Sequence, residues 1–363
     1  MSKPVVQAEN RDSVFASKIR SQPTLAYFIF AFLISWVLWF IAPLAGGNGN
    51  VVYGLIVFVG ACGPVFSAFI VASTINHEPS NSSKRKRLTA FAAAFAATYT
   101  LQPLLALLVT HSFSLVVLLT SLVYAAVAGY IISSIYHPKQ GIATLMAGLK
   151  RVSLRSVWVW VAVLLPFAWQ FVASAIVWGL GGQLLALSGS GLLVLAAYPA
   201  TFLFGGPLTE EPGWRGLATP RLEQRFSPLV AGLIIGVIWS CWHFPLYFTP
   251  LYGGGLMPFL FRFVFNVPLG ILFTWFYNRS GGNLFASMLL HCSVNTSSNL
   301  FGPTSGLVAI LLMIVSAVIV IVYDKMHRKT LNPLGQQMVT ASSSKERLHT
   351  LTDSTKQLKA GKA

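Results

Sequence analysis

From about residue 24 to residue 323 the chain is a series of long apolar runs separated by short polar joins. The runs are approximately Thr24–Leu44, Val51–Ile75, Leu88–Thr110, Ser112–Tyr136, Val157–Leu180, Leu192–Leu208, Pro228–Phe248, Leu256–Tyr277, Leu284–Leu300 and Gly306–Tyr323. Each is roughly 17 to 25 residues long, which an α-helix needs to cross a hydrocarbon layer of about 30 Å. Apolar side chains fill the runs instead of alternating with polar ones, so the strands of a membrane barrel are not expected. The fold class is expected to be all-α, a polytopic transmembrane helical bundle of about ten spans.

The joins supply the orientation. Lys3, Arg11, Lys18 and Arg20 precede the first run, and Lys84-Arg85-Lys86-Arg87 follow the second. Lys139, Lys150, Arg151 and Arg155 follow the fourth, Arg215, Arg221 and Arg225 the sixth, and Arg279 the eighth. Lys325, Arg328 and Lys329 close the tenth, and the joins between these basic ones hold no Lys or Arg. Basic joins on alternate sides are the positive-inside pattern, so both termini are expected to be cytoplasmic. The stretch Gly141–Ser156 mixes apolar and basic residues and is expected to form an interfacial helix. Trp158, Trp160, Tyr252 and Tyr277 fit an aromatic belt.

Composition sharpens the class. Hydrophobic residues make up 55% of the 363 and charged ones 9%, against about 25% charged in an ordinary soluble domain. A soluble globule could not cover its surface with so few charges. The net charge of +16 sits in joins and tails, where it directs topology, so no nucleic-acid partner is expected. The expected location is integral and multi-pass in a membrane, with the bilayer itself as a partner. Cys62, Cys241 and Cys292 lie inside apolar runs as inert thiols. The first run is too long for the core of a cleavable signal.

The chemistry is confined to a few places. Between Pro79 and Tyr323 the acids are Glu210, Glu211 and Glu223 alone, and of the seven histidines only His243 and His291 lie well inside apolar runs. Ionisable groups at membrane depth are costly and mark function. In Glu210-Glu211-Pro212-Gly213-Trp214-Arg215, helical spacing lets Glu211 pair with Arg215 at i,i+4. Glu210, turned about 100° away, stays free for another task. Trp239 and His243 share one helix face, and so do His291 and Asn295. Gly232 and Gly236 read as a helix-packing pair. Arg262, with Asn266 four residues on, either snorkels to the outer interface or lines the cavity, and snorkelling is the preferred reading.

Glu-Glu-x-x-x-Arg, aromatic-x-x-x-His and His-x-x-x-Asn, in that order on three helices, resemble the CPBP family of intramembrane endopeptidases. That family includes type II CAAX prenyl proteases and bacteriocin-processing or immunity proteins. The phrases Glu-Glu-Pro-Gly-Trp-Arg-Gly and Tyr277-Asn278-Arg279-Ser280-Gly281-Gly282 support the likeness, which covers roughly Leu192–Tyr323. Trp239 stands where the family more often has Phe. The resemblance implies that Glu210 is the general base for water, with Glu211 beside it anchored by Arg215. It implies that His243, His291 and Asn295 help to hold the oxyanion. Whether a metal takes part stays open. Glu210, His243 and His291 could form a zinc set with one open position, but there is no His-Glu-x-x-His, and the metal-free reading is preferred.

The expected organisation is a cytoplasmic N-terminal tail at 1–23, an accessory transmembrane bundle at 24–187, a CPBP-type catalytic core at 188–323, and a polar, disordered tail at 324–363. The expected function is hydrolysis of a peptide bond at or within the membrane, with a membrane protein or lipidated peptide as substrate and CAAX-type processing permitted. The alternative is a catalytically silent scaffold or immunity protein of the same fold. One conflict has to be resolved. Hydropathy alone sets Glu210 at the edge of its span and His243 deep in the next. Their meeting requires the sixth helix to start near Pro199 and run past Leu217, and the seventh to start a few residues later than Pro228.

Overall fold

A computed structural model describes residues 14–111, 114–182, 193, 196–301 and 306–329. Residues 1–13 and the tail from 330 onward therefore lie outside it. Among the described residues there are helices and turns and no strand. In chain order the helices are α1 (Val14–Ser21), α2 (Pro23–Ile41), α3 (Val51–Ala61), α4 (Gly63–Ile75), α5 (Lys84–Thr110), α6 (Leu115–Ser133), α7 (Gln140–Met146) and α8 (Val157–Gly179). They continue with α9 (Tyr198–Phe204) and α10, which begins as Pro207–Glu211, widens to a π-helix over Pro212–Ala218 and ends as Thr219–Glu223. Then follow α11 (Pro228–Trp242), α12 (Leu256–Arg279), α13 (Leu284–Phe301) and α14 (Gly306–Tyr323).

Local chemistry explains many of the starts. Asn50 accepts from the amides of Val52 and Tyr53, and Ser83, Ser114 and Ser227 cap α5, α6 and α11 in the same way. Pro23, Pro207 and Pro228 open their helices where a missing N–H costs nothing.

Seven of these helices are long and apolar enough to cross a membrane, and α3 with α4 makes an eighth if the pair, bent by 40°, is one span. One face of α2 exposes Leu25, Ile29, Leu33, Val37 and Phe40, and one face of α14 exposes Leu311, Val315, Val318 and Val322. Such stripes suit contact with lipid chains. The protein is an integral, multi-pass helical membrane protein. Among the described residues, the sixth and ninth of the ten apolar runs do not give spans of this kind. The sixth is broken at Gly205-Gly206, and α13, from the ninth, is too polar. The ninth run carries His291 and Asn295, so there the polarity that weakens the membrane signal belongs to the candidate site, while the carboxylate pair follows the sixth run.

The anticipated depth conflict is resolved differently from expectation. The helix does continue past Leu217, but α11 begins at Pro228 without delay. Instead, α10 is brought inward by the bend at Gly205-Gly206 and by packing on every side. Trp214, Arg215 and Leu217 are fully buried. Helices α11 and α12 press together where Gly232 and Gly236 leave no room: a Cβ would lie 2.8 Å from Ile271 Cα and 2.7 Å from Val267 Cα. Within the stretch after α6, α7 packs its apolar side chains on the protein core. In α7 Ile142 and Met146 are buried, and the next turn buries Leu149. One core joins the first helices to the last, holding Tyr27, Val65 and Met146 with Trp214, Trp242 and Phe273.

Candidate active site

The site is organised by α10. Gly206 has φ 114°, a left-handed conformation open to glycine, and this lets the chain turn sharply from α9 into α10. Its α-hydrogen side faces the chemistry. A Cβ there would lie 2.9 Å from Glu210 Oε1 and 3.5 Å from His291 Nε2. Pro212 has no N–H to offer in the middle of α10, and the helix widens to π geometry from that residue on. The wider turn presents Glu210, Glu211, Trp214 and Arg215 to three neighbouring helices.

Glu210 is 6% exposed and Glu211 and Arg215 are wholly buried. Glu210 Oε2 accepts from Trp239 Nε1 at 2.7 Å and from Trp214 Nε1 at 3.3 Å. Its Oε1 is the atom turned toward Gly206 and His291. Glu211 divides its two oxygens. Oε2 lies 3.4 Å from Arg215 Nε, the pair that helical spacing anticipated. Oε1 accepts from His291 Nδ1 at 2.8 Å, a contact across 80 residues that spacing could not reveal. The Arg215 guanidinium lies between two aromatic faces, 4.3 Å from the Phe273 ring and 5.1 Å from that of Trp239. None of its nitrogens makes a protein hydrogen bond, so Glu211 and the ring quadrupoles are what balance its charge.

His243 closes α11. Its Nδ1 bonds to the Trp239 carbonyl at 2.7 Å and its Nε2 to Arg262 Nη2 at 3.1 Å. A carbonyl only accepts and a guanidinium only donates, so the ring carries its proton on Nδ1 and a lone pair on Nε2. Arg262 does not snorkel to the outer interface. Its guanidinium also lies 5.8 Å from the Tyr252 and Phe265 rings. Tyr252, expected in an aromatic belt, stacks on His243 at 6.1 Å and an interplanar angle of 22°.

Asn295 donates to the Gly205 carbonyl at 3.1 Å and so holds the bend that presents Gly206. Trp239 is the centre of the arrangement. Its indole binds Glu210, its carbonyl binds His243, and its ring packs edge-on against His291 at 5.4 Å. Of the anticipated residues, Glu210, Glu211, Arg215 and His291 are thus joined directly or across Gly206, His243 is tied to them through Trp239, and Asn295 touches the bend. Sequence reading undervalued Trp239, preferred the snorkelling alternative for Arg262, and missed Trp214 and Gly206 as contributors. Trp214 stands at i+4 from Glu210, which was the available signal.

Glu210, His243 and His291 are not arranged as a ligand set for a divalent metal. A cationic guanidinium occupies the Nε2 side of His243. Among the described residues no three His, Cys, Asp or Glu side chains are grouped so as to hold a metal ion.

Residues 191–297 match the family described as type II CAAX prenyl endopeptidase Rce1-like. Over 143 residues the chain is 31% identical to CAAX prenyl protease 2 of Methanococcus maripaludis, a match that covers 37% of this chain. The chain spans about half the length of that relative, 50%. The stretch 191–297, which holds all six anticipated residues, is similar to the Rce1-like type II CAAX prenyl endopeptidases.

Proposed function

We propose that this protein is an intramembrane endopeptidase in which Glu210 activates water without a metal. The observation that carries this reading is the shared face at Gly206. There Glu210 Oε1 and His291 Nε2 lie on the same side of Gly206, 2.9 Å and 3.5 Å from where a Cβ would stand, and the other atoms of both groups are already fixed by Trp239 and Glu211. A water on that side gives a proton to Glu210 as its oxygen attacks the scissile carbonyl carbon. The carbonyl oxygen becomes an oxyanion, which His291 stabilises through an Nε2 proton while Glu211 serves as counter-ion to the ring. Collapse of the intermediate breaks the C–N bond, and Glu210 returns its proton to the leaving amine. Asn295 holds the Gly205-Gly206 bend and has a second amide N–H to offer. Arg262 holds His243 by its Nε2 and the Trp239 carbonyl holds its Nδ1, so His243 has both nitrogens engaged and shapes the site with its ring.

The likeness to type II CAAX prenyl endopeptidases supports a lipidated peptide as substrate, cut near its C-terminus. The test is a comparison of peptide ends in membranes carrying wild-type protein or Glu210→Ala, together with incubation of purified protein with a prenylated peptide. Peptide ends that disappear with Glu210→Ala at equal expression support the enzyme. Identical ends and an uncut peptide favour the silent scaffold or immunity reading.

A further inference from the structure

A second cavity, of about 620 Å³, lies at the end of the bundle where α5 begins and α6 finishes. It is remote in sequence from every residue of the candidate active site, and the peptidase reading does not enter into it. One wall is a single face of α5. Lys84, Arg87, Leu88 and Phe91 line it, and their spacing of three and four residues stacks them along one side of a helix. That face turns from cationic to apolar within about 10 Å of helix rise. The opposite wall is Tyr130, Ser133 and Tyr136 from the end of α6 and the turn after it.

The floor is preformed. Ser80 and Ser82 hydroxyls both donate to the His137 carbonyl, at 2.5 Å and 3.2 Å, and the Ser80 amide donates to the Pro138 carbonyl at 2.7 Å. Pro79 and Lys139 face each other in an isolated antiparallel bridge. These contacts fix the loop against α6 and keep the cavity open.

Its charge is of one sign. No carboxylate lines the cavity, and Glu78 is the one acid between Asp12 and Glu210 in the sequence. Lys150 extends the cationic rim, with its ammonium 4.8 Å from the Tyr136 ring. Burial, with the Arg87 and Lys139 charges beside it, holds His137 below the usual imidazole range. A concave site with two cations at its mouth and aliphatic and aromatic side chains within it matches an amphiphile whose anionic end is a phosphate.

We infer that the cavity formed by Lys84, Arg87, Ser133 and Tyr136 with Leu88, Phe91 and Tyr130 binds an anionic phospholipid. The phosphate sits at Lys84 and Arg87 at the membrane surface, and an acyl chain lies against Leu88, Phe91 and Tyr130. The position at the ends of two membrane-crossing helices is where such a headgroup resides. Binding there ties α5 and α6 to the loop that leads into α7, which packs on α10 through Leu145 and Gly216.

The test uses the full-length protein released from mixed micelles into native mass spectrometry, with phosphatidylglycerol or phosphatidylcholine as the added lipid. The expected result is retained phosphatidylglycerol adducts and few phosphatidylcholine ones. Lys84→Gln with Arg87→Gln is expected to lower the phosphatidylglycerol adducts about thirtyfold, since each basic contact contributes about 1 kcal/mol. Arg85→Gln with Lys86→Gln changes the charge equally on the same helical turns but outside the lining, and is expected to leave the adducts nearly unchanged. Equal losses in the two pairs, or equal retention of the two lipids, would overturn the proposal. Displacement of the lipid by millimolar inorganic phosphate alone would assign the site to free phosphate instead and overturn its lipid part.

Discussion

Arg262 and His243 meet at 3.1 Å, guanidinium Nη2 to imidazole Nε2, from two helices that pack without side chains between their glycines. The contact keeps a proton off Nε2 of His243, while the Trp239 carbonyl holds one on Nδ1. Arg262→Leu is expected to lower kcat about 100-fold, the order contributed by one correctly protonated group. KM should move much less, and Arg262→Lys should recover part of the loss because an ammonium still donates. Nitrogen NMR of labelled histidine gives an independent reading. The wild-type His243 pattern should be a protonated Nδ1 and a bare Nε2, and that pattern should be lost in Arg262→Leu. An unchanged spectrum would mean that Arg262 does not set the tautomer.

Trp239→Phe keeps the ring and removes the donor that reaches Glu210 at 2.7 Å. A hydrogen bond to a charged group contributes about 1.5–3 kcal/mol, and only the longer bond from Trp214 would remain. The expected outcome is at least about a tenfold fall in kcat/KM, with normal expression. Equal activity would show that the indole N–H has no part in positioning the carboxylate.

The Glu211–Arg215 pair is wholly buried, so losing one partner strands the other's charge. Arg215→Met or Glu211→Gln alone should cost about 3–5 kcal/mol, read as a large drop in thermal unfolding temperature in detergent. The double variant should be more stable than either single one. It should still be inactive, because Glu211 also orients His291.

Gly206→Ala places a methyl group where Glu210 Oε1 and His291 Nε2 face each other, at a φ of 114°. Backbone strain there is about 1–3 kcal/mol. Activity is expected to fall further than stability, by about 100-fold, the usual cost of misplacing reacting groups by an ångström. Peptide cleavage measured beside thermal unfolding separates the two effects.

Asp324 follows α14 and accepts from Arg279 Nε at 2.7 Å and from the Trp275 indole. The bond from Arg279 is the main cause that holds its carboxyl below the usual value of 3.8. A carboxyl with a lowered folded pKa stabilises the fold above its unfolded value, and that contribution disappears as pH falls through the folded value. Thermal unfolding between pH 5 and pH 3 should therefore fall more steeply for the wild type than for Asp324→Asn, since about pH 4 is where an unpaired Asp begins to bind its proton. Parallel curves would show that the pair contributes nothing. The difference should be small, because Arg279 is about half exposed, at 52%.

Much of this was legible in the sequence because it rests on local periodicity. Runs of membrane-crossing length gave the fold class, and i,i+4 spacing gave the Glu211–Arg215 pair and the shared faces of Trp239 with His243 and His291 with Asn295. These follow from helix geometry, which depends on a residue's near neighbours. The ninth run was harder to read, since His291 and Asn295, which belong to the candidate site, also lower its hydropathy.

What only the tertiary structure decided is the set of contacts between helices far apart in the chain. His291 bonds Glu211, Trp239 bonds Glu210, and Arg262 bonds His243. Each depends on the rotation and depth of one helix against another. Those are fixed by close glycine contacts, by the bend at Gly205-Gly206 and by the widened turn after Pro212, which no hydrophobic period encodes. The sequence could therefore name the groups that do chemistry, but which atom of each faces its partner follows from packing.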